Sequence, residues 1–219
     1  HSTLRLVRGV KNRFGAADEI GCFELRDDGI DGVPDPSGLF LTRSATQAPG
    51  SCLTVALEGR RPMLVEIQSL VAQAHSSPRR TVGGLDSNRI AMILAVLANF
   101  APTASADFFA STVGGMRVSE PASDLAVALS VASAVHRVPQ HSRLIAIGEI
   151  SLSGEIRQVP GLGQRLSEAA RQGINLAVVA AGALENVTVP DGMRIAQCES
   201  VREAVATALP KIELPRPTD

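Results

Sequence analysis

From Asp124 to His136 the chain places Leu125, Val127, Leu129, Val131 and Val135 so that a helix over this stretch is apolar on every side. Such a helix has no face to offer water and must sit at the centre of a packed domain. The remaining elements therefore have to enclose it.

Their pattern mixes strands and helices. Leu53, Val55 and Leu57 alternate, Glu58 to Pro62 turns the chain, and Met63 to Val71 returns, which predicts a β-hairpin. Ala72 to Gly84 reads as a loop, after which Ser87 is expected to cap a helix with Ile90, Ile93, Leu94 and Leu97 at helical spacing, ended by Pro102. A strand over Phe108 to Val113 leads through Gly114 and Gly115 toward the central helix. Leu144 to Leu152 and Glu155 to Val159 read as strands around a Ser153–Gly154 turn. Leu162 to Gln172 reads as a helix stopped at Gly173, and Leu176 to Ala180 as a strand. Ser200 and Glu203 form a capping box for a last helix reaching Ala208. The expected class is α/β, over residues 48–219.

Ahead of it, Leu4 to Val10 and Ile20 to Leu25 read as two short strands, followed by an Asp-, Gly- and Pro-dense linker from Asp27 to Ser37. Residues 1–47 are accordingly expected to be a separate unit. The chain opens on His1 rather than methionine, directly into a strand pattern, and reads as a piece of something longer.

Composition narrows the function classes. The chain is 45% hydrophobic, ample for a core. Its most apolar stretch, Ile90 to Ala98, is bounded by Arg89 and Asn99 and is too short to span a bilayer. No signal peptide is read, and Cys22, Cys52 and Cys198 stand singly, as isolated thiols in a reducing cytoplasm would. No histidine has metal-ligand spacing, and His136 reads as a polar cap at a helix end. A net charge of -1 gives no overall electrostatic footprint for nucleic acid, although it can hide a basic face. Of 21 Lys and Arg residues only Lys11 and Lys211 are lysine, and neither belongs to a phosphate-binding loop. Arginine suits bidentate phosphate and carboxylate contacts but cannot serve as a proton-accepting base near neutrality.

The first candidate site is Lys11-Asn12-Arg13-Phe14-Gly15. On an extended segment Lys11 and Arg13 project to the same side and can converge on one anion; the plainer reading is a solvated hairpin edge. This motif, with Glu19-Ile-Gly-Cys-Phe-Glu-Leu25, Asp28-Gly-Ile30 and Asp35-Pro-Ser-Gly-Leu-Phe40, closely resembles the end of the motor domain in the bacterial RadA (Sms) family. The rest of the chain is similar to the Lon-protease-like domain of that family (the ribosomal protein S5 domain 2 type). The similarity runs through Gly114-Gly115, Glu120-Pro-Ala-Ser-Asp-Leu-Ala126, Gly148-Glu149 and Gly154-Glu-Ile-Arg157.

That resemblance implies the terminal strands of a RecA-like ATPase domain followed by a Lon-like domain. It implies a ring, a hexamer, that hydrolyses ATP and branch-migrates recombination intermediates in the cytoplasm. Partners would be single-stranded and branched DNA and a recombinase of the RecA type. No cofactor is expected in this segment; ATP, magnesium and a zinc finger would belong to the full-length protein. In related helicases of the DnaB type a Lys-x-Arg pair reaches the nucleotide of the neighbouring subunit, which implies the same for Lys11 and Arg13, with Asn12, Phe14 and Gly15 shaping the loop.

The resemblance also indicts the protease site. Matching the Gly-Pro-Ser-Ala-Gly of active Lon enzymes to Pro121 puts Ala122 at the nucleophile's place, with Ser123 adjacent, and puts Gly163 where the lysine base stands. Ser123 then reads as an N-cap for the central helix; the competing reading is a Lon-type serine peptidase using Ser123 with an unconventional base. For DNA contacts the candidates are Arg60 and Arg61 in the hairpin turn, Arg79 and Arg80 in the long loop, and Arg117 and Arg157, each also readable as ordinary surface. With no Trp or Tyr and only six Phe, a base-stacking platform is not expected.

Overall fold

A computed structural model of the chain describes residues 4–8, 20–33, 41, 48–75, 77–141 and 143–214. Its first strands, β1 (Leu4–Arg8), β2 (Ile20–Arg26) and β3 (Gly29–Gly32), form an antiparallel sheet of their own. The strand β3 corrects the expectation of a linker from Asp27. Asp27 and Asp28 occupy a tight turn, and Phe23 to Arg26 then pair with Gly29 to Gly32. Turn-forming residues mark a hairpin here, not the end of a unit.

The larger sheet has seven strands in the order β12-β11-β8-β4-β5-β7-β6. The predicted hairpin is its middle: β4 (Ser51–Glu58) pairs antiparallel with β5 (Arg61–Gln73) across the two-residue turn Gly59–Arg60. On one side follow β7 (Ala106–Thr112), antiparallel to β5, and then β6 (Arg80–Gly83) at the edge, parallel to β7. The loop expected from Ala72 to Gly84 is therefore largely strand: β5 runs on to Gln73, and Arg80 to Gly83 rejoin the sheet. A short, polar edge strand carries little periodicity, which is why it escapes a sequence pattern. On the other side stand β8 (Leu144–Ile147), β11 (Leu176–Ala180) and β12 (Arg194–Cys198), all parallel. The sequence pattern marks no strand at Arg194–Cys198, and the single strand it predicts over Leu144 to Leu152 breaks at Gly148. Beyond the break, β9 (Glu149–Ile150) pairs with β10 (Ile156–Arg157) in a separate small hairpin.

The central helix, α2 (Asp124–His136), has the bounds the sequence predicts, and every residue from Asp124 to Ser133 is buried. It lies against β4, β5 and β8 and is flanked by α1 (Ser87–Leu97) and α4 (Val201–Ala208). Its serines are tolerated because each hydroxyl is bonded. Ser130 Oγ donates to the Val127 carbonyl at 2.8 Å and meets Ser69 Oγ at 2.8 Å, while Ser133 Oγ donates to the Val138 carbonyl and accepts from the Gly50 amide. His136 Nε2 sits 2.8 Å from the Phe100 carbonyl, tying the end of α2 to the loop after α1.

Capping follows the expected logic with one shift. The cap of α1 is Asp86, whose carboxylate accepts from the Asn88 and Arg89 amides at 2.9 Å, rather than Ser87, which is already helical. At α4, Ser200 Oγ accepts from the Glu203 amide as predicted, while Glu203 accepts from the Glu199 amide. The helix α3 (Leu162–Arg171) turns Leu162, Leu166 and Ala169 inward and packs on β4 and β5. Among the described residues no helix is long and apolar enough to cross a membrane.

Candidate functional site

The turn before α2 is where the resemblance places a protease nucleophile. Pro121, Ala122 and Ser123 form one 3-10 turn running directly into the helix. Ser123 therefore already has helical backbone angles (φ −86°, ψ −8°), and its hydroxyl caps nothing: Oγ donates back to the Glu120 carbonyl at 2.8 Å. The N-cap reading of Ser123 is thus corrected, because a cap needs an extended backbone to aim its oxygen at the amides ahead of it. Ala122 is buried and zipped by its backbone to Gly148, whose amide donates to the Ala122 carbonyl at 2.9 Å and whose carbonyl accepts from Leu125. Ala122 has no atom that could attack a carbonyl.

Two acidic side chains flank this turn, and each is clamped by an arginine from another helix. Asp124, 2% exposed, accepts Nε of Arg89 at 2.9 Å and also Nη2, and takes the Ile150 amide at 3.1 Å. Glu149 lies 3.6 Å from the same guanidinium. Burial pushes the Asp124 carboxyl up, against the pull of Arg89 and of the Ile150 amide. The partnership in turn raises Arg89 above its already high value. Burial and pairing thus oppose each other at Asp124, and the two guanidinium bonds make this an ion pair held against a desolvation cost.

The second clamp is tighter. Arg165 of α3, 1% exposed, bonds both oxygens of Glu120 at 2.7 Å, donates to the Val55 carbonyl at 2.5 Å and reaches the Pro160 carbonyl at 3.2 Å. Glu120 also accepts the Leu57 amide at 2.8 Å. The cause lies in the sheet: β8 pairs with β4 only at Leu53, so the Val55 carbonyl and the Leu57 amide beyond it have no ladder partner on that side. Arg165 and Glu120 stand in for the missing strand. Helical periodicity holds the signal, since Arg165 shares the inward stripe of Leu162, Leu166 and Ala169 and a buried arginine needs a carboxylate.

The position matched to the base opens onto a space separate from the one beside Ser123. Ser123, Asp124 and Glu120 line a depression of about 10 Å³, room for no more than a water. Gly163 instead lines an open cleft of about 780 Å³ between the Gly59–Arg60 turn, the start of α3 and residues 186–188. Arg165, two residues on, is buried, and its protons are committed to Glu120 and to backbone carbonyls. The thiols offer no substitute nucleophile: Cys52 is fully buried, which pushes it up to about 12, and burial also raises Cys22 and Cys198.

The six surface arginines do not gather in one patch. Arg60 is exposed at the hairpin turn, and Arg61, half-buried, begins β5. Arg79 and Arg80 are exposed at the β6 edge, where the Arg79 amide donates to Asp107 at 2.8 Å. Arg117 is exposed between the buried Met116 and Val118, which pack with Ala56, Met63 and Val65. Arg157, 3.8 Å from Glu155, belongs to the hairpin bonded to Glu199 and Ser200 beside the β12 edge. Six strand spacings separate the two sheet edges, roughly 29 Å. The motif Lys11 to Gly15 lies outside the described residues. Among the described residues no three His, Cys, Asp or Glu side chains gather as a metal site.

Known proteins decide the family. Over 208 residues, 94% of its length, the chain is 51% identical to the DNA repair protein RadA of Mycolicibacterium smegmatis. The chain belongs to the RadA family. RadA of Pseudomonas aeruginosa is 44% identical over 92% of the chain, and RadA of Bacillus subtilis 38% identical over 95%. The chain spans less than half the length of these RadA relatives, 44 to 46%. A family model described as subunit ChlI of Mg-chelatase matches residues 114–183, the segment that carries both the Pro121–Ser123 turn and Arg165 of this RadA chain.

Proposed function

We propose that this chain is the C-terminal part of a DNA repair ATPase of the RadA kind, in which residues 48–219 form a Lon-like domain that has given up peptide hydrolysis for ring assembly and DNA binding. One observation carries this reading: Glu120, Asp124, Arg89 and Arg165, the polar groups around the former nucleophile position, are committed to internal ion pairs and backbone bonds. Ser123 has committed its proton to a carbonyl, with no base bonded to it. A peptidase needs the opposite, a hydroxyl bonded to a proton acceptor beside a site open to substrate.

What the surface offers is arginine at loops and strand edges, suited to phosphate. The target is duplex and branched DNA, with no stacking platform for bases. Because the candidates are spread from the β6 edge past the central hairpin turn to the β12 edge, they act as separate contacts rather than one patch. Binding of a labelled duplex across a salt series tests this. Arg79→Ala/Arg80→Ala and Arg60→Ala/Arg61→Ala are each expected to weaken binding and to lower the salt slope by about one unit for each phosphate that the replaced arginines neutralise. Unchanged affinity and slope in both pairs would remove these assignments.

Residues 1–47 complete the preceding ATPase domain, and Lys11 and Arg13 reach the nucleotide of the neighbouring subunit. Cations supplied in trans stabilise charge developing in phosphoryl transfer and couple hydrolysis to the ring. ATP and magnesium bind in the full-length protein, which assembles as a hexamer, branch-migrates recombination intermediates alongside a RecA-type recombinase and works in the cytoplasm. In that protein Lys11→Ala is expected to lower DNA-dependent ATP turnover at least about tenfold while thermal unfolding of the Lon-like domain is unchanged. Full turnover would refute the role.

A further inference from the structure

The cleft that holds Gly163 is separate from the depression beside Ser123 and measures about 780 Å³. Its wall is the start of α3, its rim the Gly59–Arg60 turn, and its other side the segment 186–188. Arg60 and Arg171 line it, with Gln164, Ser167 and Asn186 as neutral polar groups. The one carboxylate in the lining, Glu168, is buried, and it accepts from Arg171 at 2.8 and 2.9 Å and from Gln172 at 3.1 Å. Glu168 and Arg171 thus offset each other, and the charge left to the cleft is that of Arg60. Arg60 is exposed, and among the described residues no carboxylate pairs with it.

We propose that this cleft seats a phosphate of the DNA backbone, so that replacing the protease lysine by Gly163 has emptied a catalytic position into a binding one. The inference rests on the reading that this domain binds DNA, and it names the place. Three features support it. An arginine at a turn tip can swing onto a phosphate, and the fork of its guanidinium matches two phosphate oxygens. The first amides of α3 point along the same wall, and Gly161, at φ +72°, caps them with no side chain, so an approaching anion meets no competing carboxylate. Gly163 contributes no side chain to the space, so the phosphate can approach the backbone itself.

The same glycine provides the test. A Cβ added there would meet only Val187 Cγ1, at an ordinary 3.8 Å, and the position is helical, so both signs of charge can be installed without strain. Gly163→Asp puts a negative charge into the first turn of α3, where it favours the helix, and into the path of a phosphate. Gly163→Lys puts a cation in the same place. A labelled linear duplex is titrated with the chain and both variants at several salt concentrations, alongside thermal melts. The expected result is an affinity about tenfold weaker for Gly163→Asp and several-fold tighter for Gly163→Lys, with the gap closing as salt rises, and a melting temperature for Gly163→Asp that is unchanged or higher. If the parent chain binds duplex and both variants bind it equally well, the cleft is not a phosphate seat while the DNA reading stands. If the parent chain fails to bind duplex at any salt, that reading falls and takes the cleft with it. A parallel titration with ATP alone separates the sources of phosphate: an Asp-to-Lys order seen with ATP and absent with duplex overturns the assignment to DNA.

Discussion

Arg165→Met is expected to destabilise the seven-stranded domain by about 3 kcal/mol at neutral pH, because it strips a part-buried carboxylate of its partner and leaves a buried carbonyl without its donor. The guanidinium is 1% exposed and makes four bonds, two to Glu120 and one each to the Val55 and Pro160 carbonyls. Methionine fills most of the volume but leaves the Val55 carbonyl without its donor and Glu120 with only the Leu57 amide. Glu120 retains some contact with water, which holds the cost toward the lower end of the range for broken buried pairs. Arg165→Lys should recover little, since one ammonium cannot span both carboxylate oxygens and two carbonyls. The double variant Glu120→Gln/Arg165→Met should be more stable than Arg165→Met alone, because the uncompensated charge is gone. Chemical denaturation of the three variants checks this. A loss below about 1 kcal/mol for Arg165→Met, or no recovery in the double variant, would show that the clamp does not hold the end of β4 to α3.

Arg89→Ala is the second large effect, about 3 kcal/mol at neutral pH, and it carries a pH signature. Asp124 is 2% exposed, and burial already pushes its carboxyl above the ordinary range while Arg89 and the Ile150 amide pull it back. Removing Arg89 deletes the larger pull, so the folded-state value rises further. A carboxyl raised on folding binds its proton more tightly in the folded chain than in the unfolded one. Its unfavourable charge is therefore fully felt above the raised value and relieved as pH falls through it toward the ordinary carboxylate range. The stability gap between the parent and Arg89→Ala should accordingly be widest near neutrality and narrow on acidification. Asp124→Asn should cost less than Arg89→Ala at neutral pH and show no such narrowing. Denaturation midpoints measured between neutrality and about pH 4 decide the matter, and a gap that widens on acidification would reverse the assignment.

Both clamps close the space around the turn before α2. Ser123 stands beside the position that the resemblance matches to a nucleophile, and the ground around it is filled by salt bridges that hold β4, α1, α2 and α3 together.

Much of this architecture is legible in the residue pattern. The all-round apolar run predicts α2 and its bounds, alternation predicts the β4–β5 hairpin, and a run of Leu, Val and Ala predicts β11, because each signal repeats at the period of its element. Edge strands are not legible. β6 and β12 are short and part-exposed, with half their pattern facing water, and β3 consists of Gly, Ile and Asp that turn chemistry explains equally well. The Ser87 and Ser123 caps miss for a shared reason: a serine at a helix start signals that a start is near, while the backbone angle decides which residue caps.

The sequence by itself determined that a helix over Asp124 to His136 would be central, that the class would be α/β, and that glycine, not lysine, stands at 163, which the resemblance matches to a protease base. It also carried the motifs by which the chain is recognised as RadA-like. Only the tertiary structure decided what the charges near Ser123 do. Periodicity reports that Arg165 faces inward, but not that it meets Glu120, 45 residues away, because the meeting depends on β8 leaving β4 after Leu53. The backbone groups exposed by that departure had to be bonded, and the two side chains that bond them make the turn before α2 a structural joint.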